Sequence, residues 1–162
     1  MDMAGNVLRH MLDKDIRAIA AKRPLYVAFS KIFDGIILPD LNGNTVTALD
    51  LEFKPMWTYS DIDLKGPRSL MIAPDGNILV CCYNSNNIHI ISNKGEKIKV
   101  ILRKEDGINN PYAAAVIGRT LLVTENGNEL KNQANPVSKL TLPPIDYANC
   151  AQSYRKWRKH VD

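Results

Sequence analysis

From about residue 24 onward, apolar positions come in short runs separated by polar turns. The clearest stretch is "PRSLMIAPDGNILVCCYNSNNIHIISNKGEKIKVIL". "SLMIA" closes at "PDGN", whose Asp75-Gly76 step supplies the positive φ that a tight hairpin turn demands. "ILVCC" then runs to "YNSNN", where short polar side chains bond nearby backbone and tolerate left-handed geometry. "IHIIS" runs to "NKGE", another Gly turn, and "KIKVIL" alternates charged and apolar residues as a half-exposed strand does. The pattern predicts four short antiparallel strands.

The same pattern is written three times. Pro24, Pro67 and Pro111 open units 43 and 44 residues apart, and "NGN", "NSN" and "NGN" return every 42 residues, at 42–44, 84–86 and 126–128. The units are assigned as 24–66, 67–110 and 111–142, the third losing its clear third and fourth strands after "NELKNQANPVSKL". Four strands in about 43 residues is the signature of a β-propeller blade. The expected fold class is all-β, a partial β-propeller of about three four-stranded blades with irregular or short helical terminal segments. Each Asn-x-Asn falls between the second and third strands, where it makes the turn or contacts a ligand. The expected core comprises Val27, Phe29, Ile36, Leu38, Val46, Leu49, Leu70, Ile72, Leu79, Ile88, Ile90, Leu122 and Val123, at alternating strand positions. Residues 1–23 fit either an amphipathic helix, through Leu8, Met11, Leu12, Ile16, Ile19 and Ala20, or the outer strand of a preceding blade.

The stretch "GPRSLMIAPDGNILVCCYNSNNIHIISNKGEKI" resembles the NHL repeat: Pro, a small apolar run, Asp-Gly, an apolar strand, Asn, an apolar strand and a Gly turn. The resemblance is nearest to the C-terminal propellers of tripartite-motif (TRIM) NHL proteins, through "TVTALDL", "WTYSD", "DLKGPR", "SNNIHIIS" and "LLVTENGN", and it spans residues 5–142. Cys82 departs from the pattern, which usually places Asp there, as Asp40 does in the first unit. The resemblance implies rings of six blades, so three units form an open arc with apolar faces at both ends. A truncated relative, two copies completing one ring, or terminal segments covering the ends each satisfies that geometry, and truncation is the favoured expectation.

Composition narrows the chemistry. The 162 residues suffice for one domain, and 21 Lys and Arg against 17 Asp and Glu leave a net charge of +4, much of it in the basic tail at 143–162. In that tail Tyr154 and Trp157 lie among Arg155, Lys156, Arg158 and Lys159, a composition suited to a solvated tail or to single-stranded nucleic acid. No apolar run reaches membrane-spanning length and no secretory leader is evident, so a soluble, reducing, cytoplasmic setting without membrane contact is expected. The TRIM ligases carry zinc-binding RING and B-box modules, and three Cys with three His cannot build one. No enzyme activity and no cofactor are therefore expected. A calcium-dependent, lactonase-like hydrolase is the remote enzymatic alternative, resting on Glu125, Asn126 and Asn128. His89, between Ile88 and Ile90, is expected to be a surface or packed histidine rather than a base.

Recognition remains. In a propeller the loops from second to third strand, and from fourth strand to the next blade, emerge on one face. The candidates there are Asp40, Asn42, Asn44, Lys65, Arg68, Tyr83, Asn84, Asn86, Tyr112, Asn126 and Asn128. Tyr, Arg and Asn together suit adaptable hydrogen bonding around aromatic anchors. A protein or peptide partner is the leading expectation, and the TRIM resemblance implies a ubiquitin-ligase-related context for it. RNA binding through Lys65 and Arg68 is the alternative that the resemblance implies, and self-association through the open edges is a further one.

Overall fold

A computed structural model of the chain describes residues 25–117, 120–125 and 137–141. The strands are β1 (Ala28–Ser30), β2 (Gly35–Asp40), β3 (Thr45–Asp50), β4 (Pro55–Tyr59), β5 (Pro67–Ile72), β6 (Ile78–Cys82), β7 (Asn87–Ile91), β8 (Lys97–Leu102), β9 (Pro111–Ile117), β10 (Thr120–Glu125) and β11 (Val137–Thr141). They form three antiparallel sheets, β1-β2-β3-β4, β5-β6-β7-β8 and β9-β10-β11. The first strands of successive sheets neighbour one another, β1 against β5 and β5 against β9, so the sheets fan out from a common centre as propeller blades do.

The four strands expected in the second unit form where the apolar runs place them. Gly76 takes φ +85° in the Asp-Gly turn, a conformation that costs glycine nothing. The third unit corrects the sequence reading: Val137–Thr141 is a third strand, paired with β10 from Thr124↔Val137 to Thr120↔Thr141. It was missed because a longer polar stretch, 126–136, separates it from β10.

Two apolar cores lie between the sheets. Ile37, Val46, Ala48 and Tyr59 of the first sheet meet Leu70, Ile78, Val80, Cys82 and Ile91 of the second, and Leu64 from the connection plugs the seam. Leu79, Cys81, Ile88, Ile90 and Ile101 of the second meet Leu121 and Val123 of the third. Strands β6 and β7 are buried throughout, which is why β6 reads as a continuous apolar run, whereas β7 also buries the polar Asn87 and His89. Adjacent Cys81 and Cys82 belong to different cores, as the two-residue period of a strand requires. Burying one Ile or Leu stabilises by about 1.5–3 kcal/mol, so these seams supply most of the attraction between sheets.

Leu38, Val46, Leu49, Leu70, Leu79, Ile88, Ile90 and Val123 are buried as expected. Val27 and Phe29 are not: they are 57% and 49% exposed. Phe29 pairs with Ile36 as Ile72 pairs with Ile78, so its register is that of a core position, but no described sheet covers that side of the first sheet. Ile36 and Ile72 are half-buried. Leu122 is also half-buried, and the core position belongs to Leu121, fully buried. The shift has a local cause. Pro67 pairs with Cys82, whereas Pro111 pairs with Glu125, so one residue fewer separates the opening proline from the end of the second strand in the third unit. Alignment through Asn-x-Asn therefore misplaces Leu122 by one position. Asp40, Cys82 and Glu125 are the structural equivalents, each ending the second strand of its sheet and each buried.

Candidate functional site

The β2–β3, β4–β5, β6–β7 and β8–β9 connections lie together on one face and are tied by a repeated device. Asn44, at φ +54°, accepts a hydrogen bond on Oδ1 from the Gly66 N–H at 2.8 Å. Asn86, at φ +52°, accepts one from the Asn110 N–H at 2.7 Å. Gly66 and Asn110 each precede the proline that opens the next sheet, and proline has no N–H to offer. The second Asn of each described Asn-x-Asn thus turns the chain and clasps the following blade. Asparagine suits both roles, since it tolerates left-handed backbone and carries a short acceptor.

Backbone bonds extend the clasp. Tyr83 N–H donates to Gly66 O at 2.9 Å, Asn84 N–H to Lys65 O at 3.1 Å, and Asn110 Nδ2 to Tyr83 O at 2.9 Å. Lys65 N–H donates to Ser85 Oγ, and Asn87 Nδ2 donates to Asp63 O. Gly66 is required here: its φ is +60°, and a Cβ would lie 2.5 Å from Asn84 Nδ2.

The candidates separate accordingly. Asp40 is 1% exposed and accepts from the Asn42 N–H, so its carboxylate shapes the turn from within. Glu125 is 5% exposed and accepts from the Asn109 N–H at 3.0 Å. Asn44 and Asn86 are committed to the clasps. Asn42, Asn84, Lys65 and Tyr112 are exposed on the face. Asn126 and Asn128 lie outside the described residues, as do residues 1–23 and the tail at 143–162.

Arg68 and Tyr112 form the most organised feature of this face. Each is the residue after an opening proline, which brings them side by side on β5 and β9. The Arg68 guanidinium carbon lies 3.8 Å from the Tyr112 ring centroid and 5.3 Å from that of Tyr83, and its Nη2 donates to Tyr112 Oη. Nearby acids are engaged elsewhere: Asp61 pairs with Lys97 at 2.7 Å and Asp63 with Arg103 at 3.1 Å. The Lys97 hydrogen bond holds the Asp61 carboxyl below its ordinary pKa.

His89 is packed. It is fully buried, its Nδ1 is 2.9 Å from Tyr59 Oη, and Nε2 has no partner among the described residues. Burial lowers its pKa and pushes the Tyr59 phenol well above the usual range. A ring sealed between two sheets has no route to a substrate. Sequence reasoning also missed a groove of about 330 Å³ on the opposite face, lined by Phe33, Met56, Trp57, Asn93 and Lys94. Trp57 is fixed there by its Nε1 bond to Asn93 O at 3.1 Å. Among the described residues no group of three acidic, His or Cys side chains is placed to hold a metal ion, and no helix is long and apolar enough to cross a membrane.

No family model and no curated protein matches the chain. Solved structures do. The chain is similar to Kuenenia stuttgartiensis hydrazine synthase, with TM-score 0.60 and 19% identity over 73% of this chain and 32% of that one. It is similar to a chain of a nidogen/laminin complex, with TM-score 0.60 and 15% identity over 75% and 45%. It is similar to the Cps50 (Swd1) β-propeller domain of Myceliophteria thermophila, with TM-score 0.53 and 16% identity over 79% and 42%. The fold is that of a β-propeller. The chain spans from about a third to under half the length of these structures. At these identities the likeness concerns fold alone, and the chemistry rests on the residues.

Proposed function

We propose that this chain is a non-catalytic recognition or scaffold module that binds a protein or peptide through the face carrying the β2–β3, β4–β5, β6–β7 and β8–β9 connections. The observation that carries the reading is the clasped loop network. It holds the exposed Asn42, Asn84, Lys65 and Tyr112 on a backbone tied from blade to blade. A surface ordered before contact loses little entropy on binding, and Asn and Tyr supply adaptable polar and aromatic contacts. The repeat residues support assigning the blades to the NHL type of TRIM propellers in a cytoplasmic setting, with any ubiquitin-ligase chemistry supplied by another polypeptide. Propeller neighbours such as that in the nidogen/laminin complex support a protein partner. The exposed Val27 and Phe29 support self-association along the first sheet, which light scattering checks directly.

The test is selection of peptides from a displayed library against the full chain, followed by affinity measurements on variants. Asn42→Ala with Asn84→Ala weakens the selected binders while Met56→Ser, on the opposite face, leaves them unchanged. Binders that respond only to Met56→Ser, or a library that returns none, overturn this reading. Single-stranded RNA binding with a steep salt dependence, lost on Lys65→Ala with Arg68→Ala, would replace it with the RNA alternative.

A further inference from the structure

Two of the charged side chains beside the recognition face are neutralised. Lys97 and Arg103 are matched by Asp61 and Asp63, both on the β4–β5 connection. Arg68 differs. Among the described residues no carboxylate pairs with it, although it is only half-exposed and lies beside two aromatic rings. A guanidinium presents five N–H donors in one plane, and the bond to Tyr112 Oη occupies one of its two Nη groups. With the Tyr112 ring centroid 3.8 Å away and the Tyr112 hydroxyl accepting from Nη2, the guanidinium is held by a cation–π contact and a hydrogen bond, and its remaining donors are left for a ligand.

We infer that Arg68 anchors a carboxylate subsite, and that the partner of the loop face presents an acidic group to the remaining donors of this ring-bound guanidinium. The inference rests on the recognition reading and adds the chemical class of the ligand. A planar fork matches a carboxylate with two parallel hydrogen bonds, and such charge-assisted bonds are about twice as strong as neutral ones. The aromatic neighbours limit water around the pair and so strengthen it. Tyr83 and Tyr112 would pack against the aliphatic part of the same peptide residue. A polyphosphate backbone fits less well. It needs a track of cations, whereas Arg68 has Lys65 as its exposed companion, and Asp61 and Asp63 stand on the connection just before it.

The experiment uses the peptides selected on the full chain. Each acidic side chain is replaced by its amide, Glu by Gln or Asp by Asn, and in a separate arm the C-terminal carboxylate is amidated. Affinities are measured on the wild-type chain, on Arg68→Gln and on Arg68→Lys, with near-ultraviolet circular dichroism and melting confirming the fold of each variant. One carboxylate is expected to matter. Its amidation weakens binding to the wild type by about tenfold or more and binding to Arg68→Gln hardly at all, the size expected for a lost charge-assisted bond. Arg68→Lys keeps the charge, loses the fork, and recovers only part of the affinity. The arm that responds tells a side-chain carboxylate from a chain terminus. Selected peptides whose affinity ignores every amidation overturn the carboxylate subsite and leave the recognition face standing. If amidation weakens binding equally on wild type and Arg68→Gln, the carboxylate is read by another residue and the role of Arg68 is overturned. Failure to select any peptide overturns both.

Discussion

The Asn86 clasp can be removed in parts. Its Oδ1 is the acceptor for the Asn110 N–H at 2.7 Å, and its backbone sits at φ +52°. Asn86→Ala deletes the acceptor and puts a Cβ-bearing residue without a polar side chain in the left-handed region. An orphaned donor costs about 1–3 kcal/mol, and the left-handed backbone about 1–2 kcal/mol for an alanine. Asparagine already bears part of that backbone cost, so the sum is roughly 2–4 kcal/mol. For a chain of this size each kcal/mol lowers the midpoint by about 2–4 °C, so Asn86→Ala is expected to melt roughly 5–15 °C early. Asn86→Gly separates the two effects: it removes the acceptor without the strain, and should fall between Ala and wild type. Asn86→Asp keeps an acceptor and should stay nearest wild type. Thermal melts followed by far-ultraviolet circular dichroism give the ranking, and amide exchange at Asn110 reports the bond itself. If Asn86→Gly melts with wild type and Asn110 exchange is unchanged, the bond contributes nothing and the clasp argument fails. The repeat supplies an internal control, because Asn44→Ala should behave like Asn86→Ala through the equivalent bond to Gly66 at 2.8 Å.

Burial depresses the His89 pKa below the ordinary 6.5, so the folded state favours the neutral ring. The stability this confers is present above pH 6.5 and is lost, at up to about 1.4 kcal/mol per pH unit, as the pH falls below it. Urea midpoints between pH 7.5 and 5.5 should drop less steeply in His89→Gln; an unchanged slope would locate the acid sensitivity elsewhere. Cys81 and Cys82 are fully buried, with desolvation pushing the Cys81 thiol up to about 12, so both should resist iodoacetamide at pH 8 until denaturant opens the sheets. Mass spectrometry showing either one labelled in the folded chain would contradict the packing. Ile90→Ala, at a fully buried position in the second seam, should cost about 2–5 kcal/mol in urea unfolding, whereas Phe29→Ser, at a half-exposed position, should cost far less; equal losses would refute the assigned faces.

How much of this was legible in the sequence depends on whether a feature repeats. The four strands of the second unit, the Asp75-Gly76 turn and the opposed faces of Cys81 and Cys82 follow from alternation and turn chemistry read over a few residues. The clasps do not, because Asn44 and Gly66 are 22 positions apart and Asn86 and Asn110 are 24, with no local pattern joining them. The Arg68–Tyr112 contact also joins distant positions, 44 apart. Yet it could have been found: both follow an opening proline, and equivalent positions of adjacent blades must meet near the common centre. Leu122 and Val123 were both assigned to the core although adjacent strand residues face opposite ways, and alternation from the buried Val123 leads to Leu121. Phe29 was assigned the right register but the wrong environment, since alternation says nothing about what stands opposite, and Val27 lies before the first strand.

Strand β6 is a party wall. Its odd-numbered and even-numbered residues serve different rooms, so inserting or deleting one residue within it would send Cys81, Cys82 and their neighbours into each other's cores and empty both seams at once. A change in length is easiest where no wall is shared, which is where the third unit has it: five residues separate Ile72 from Ile78 across the β5–β6 turn, but four separate their equivalents, Val116 and Leu121, across the β9–β10 turn. The turns at the two rims can therefore change length without emptying a seam, whereas the shared strands between them cannot.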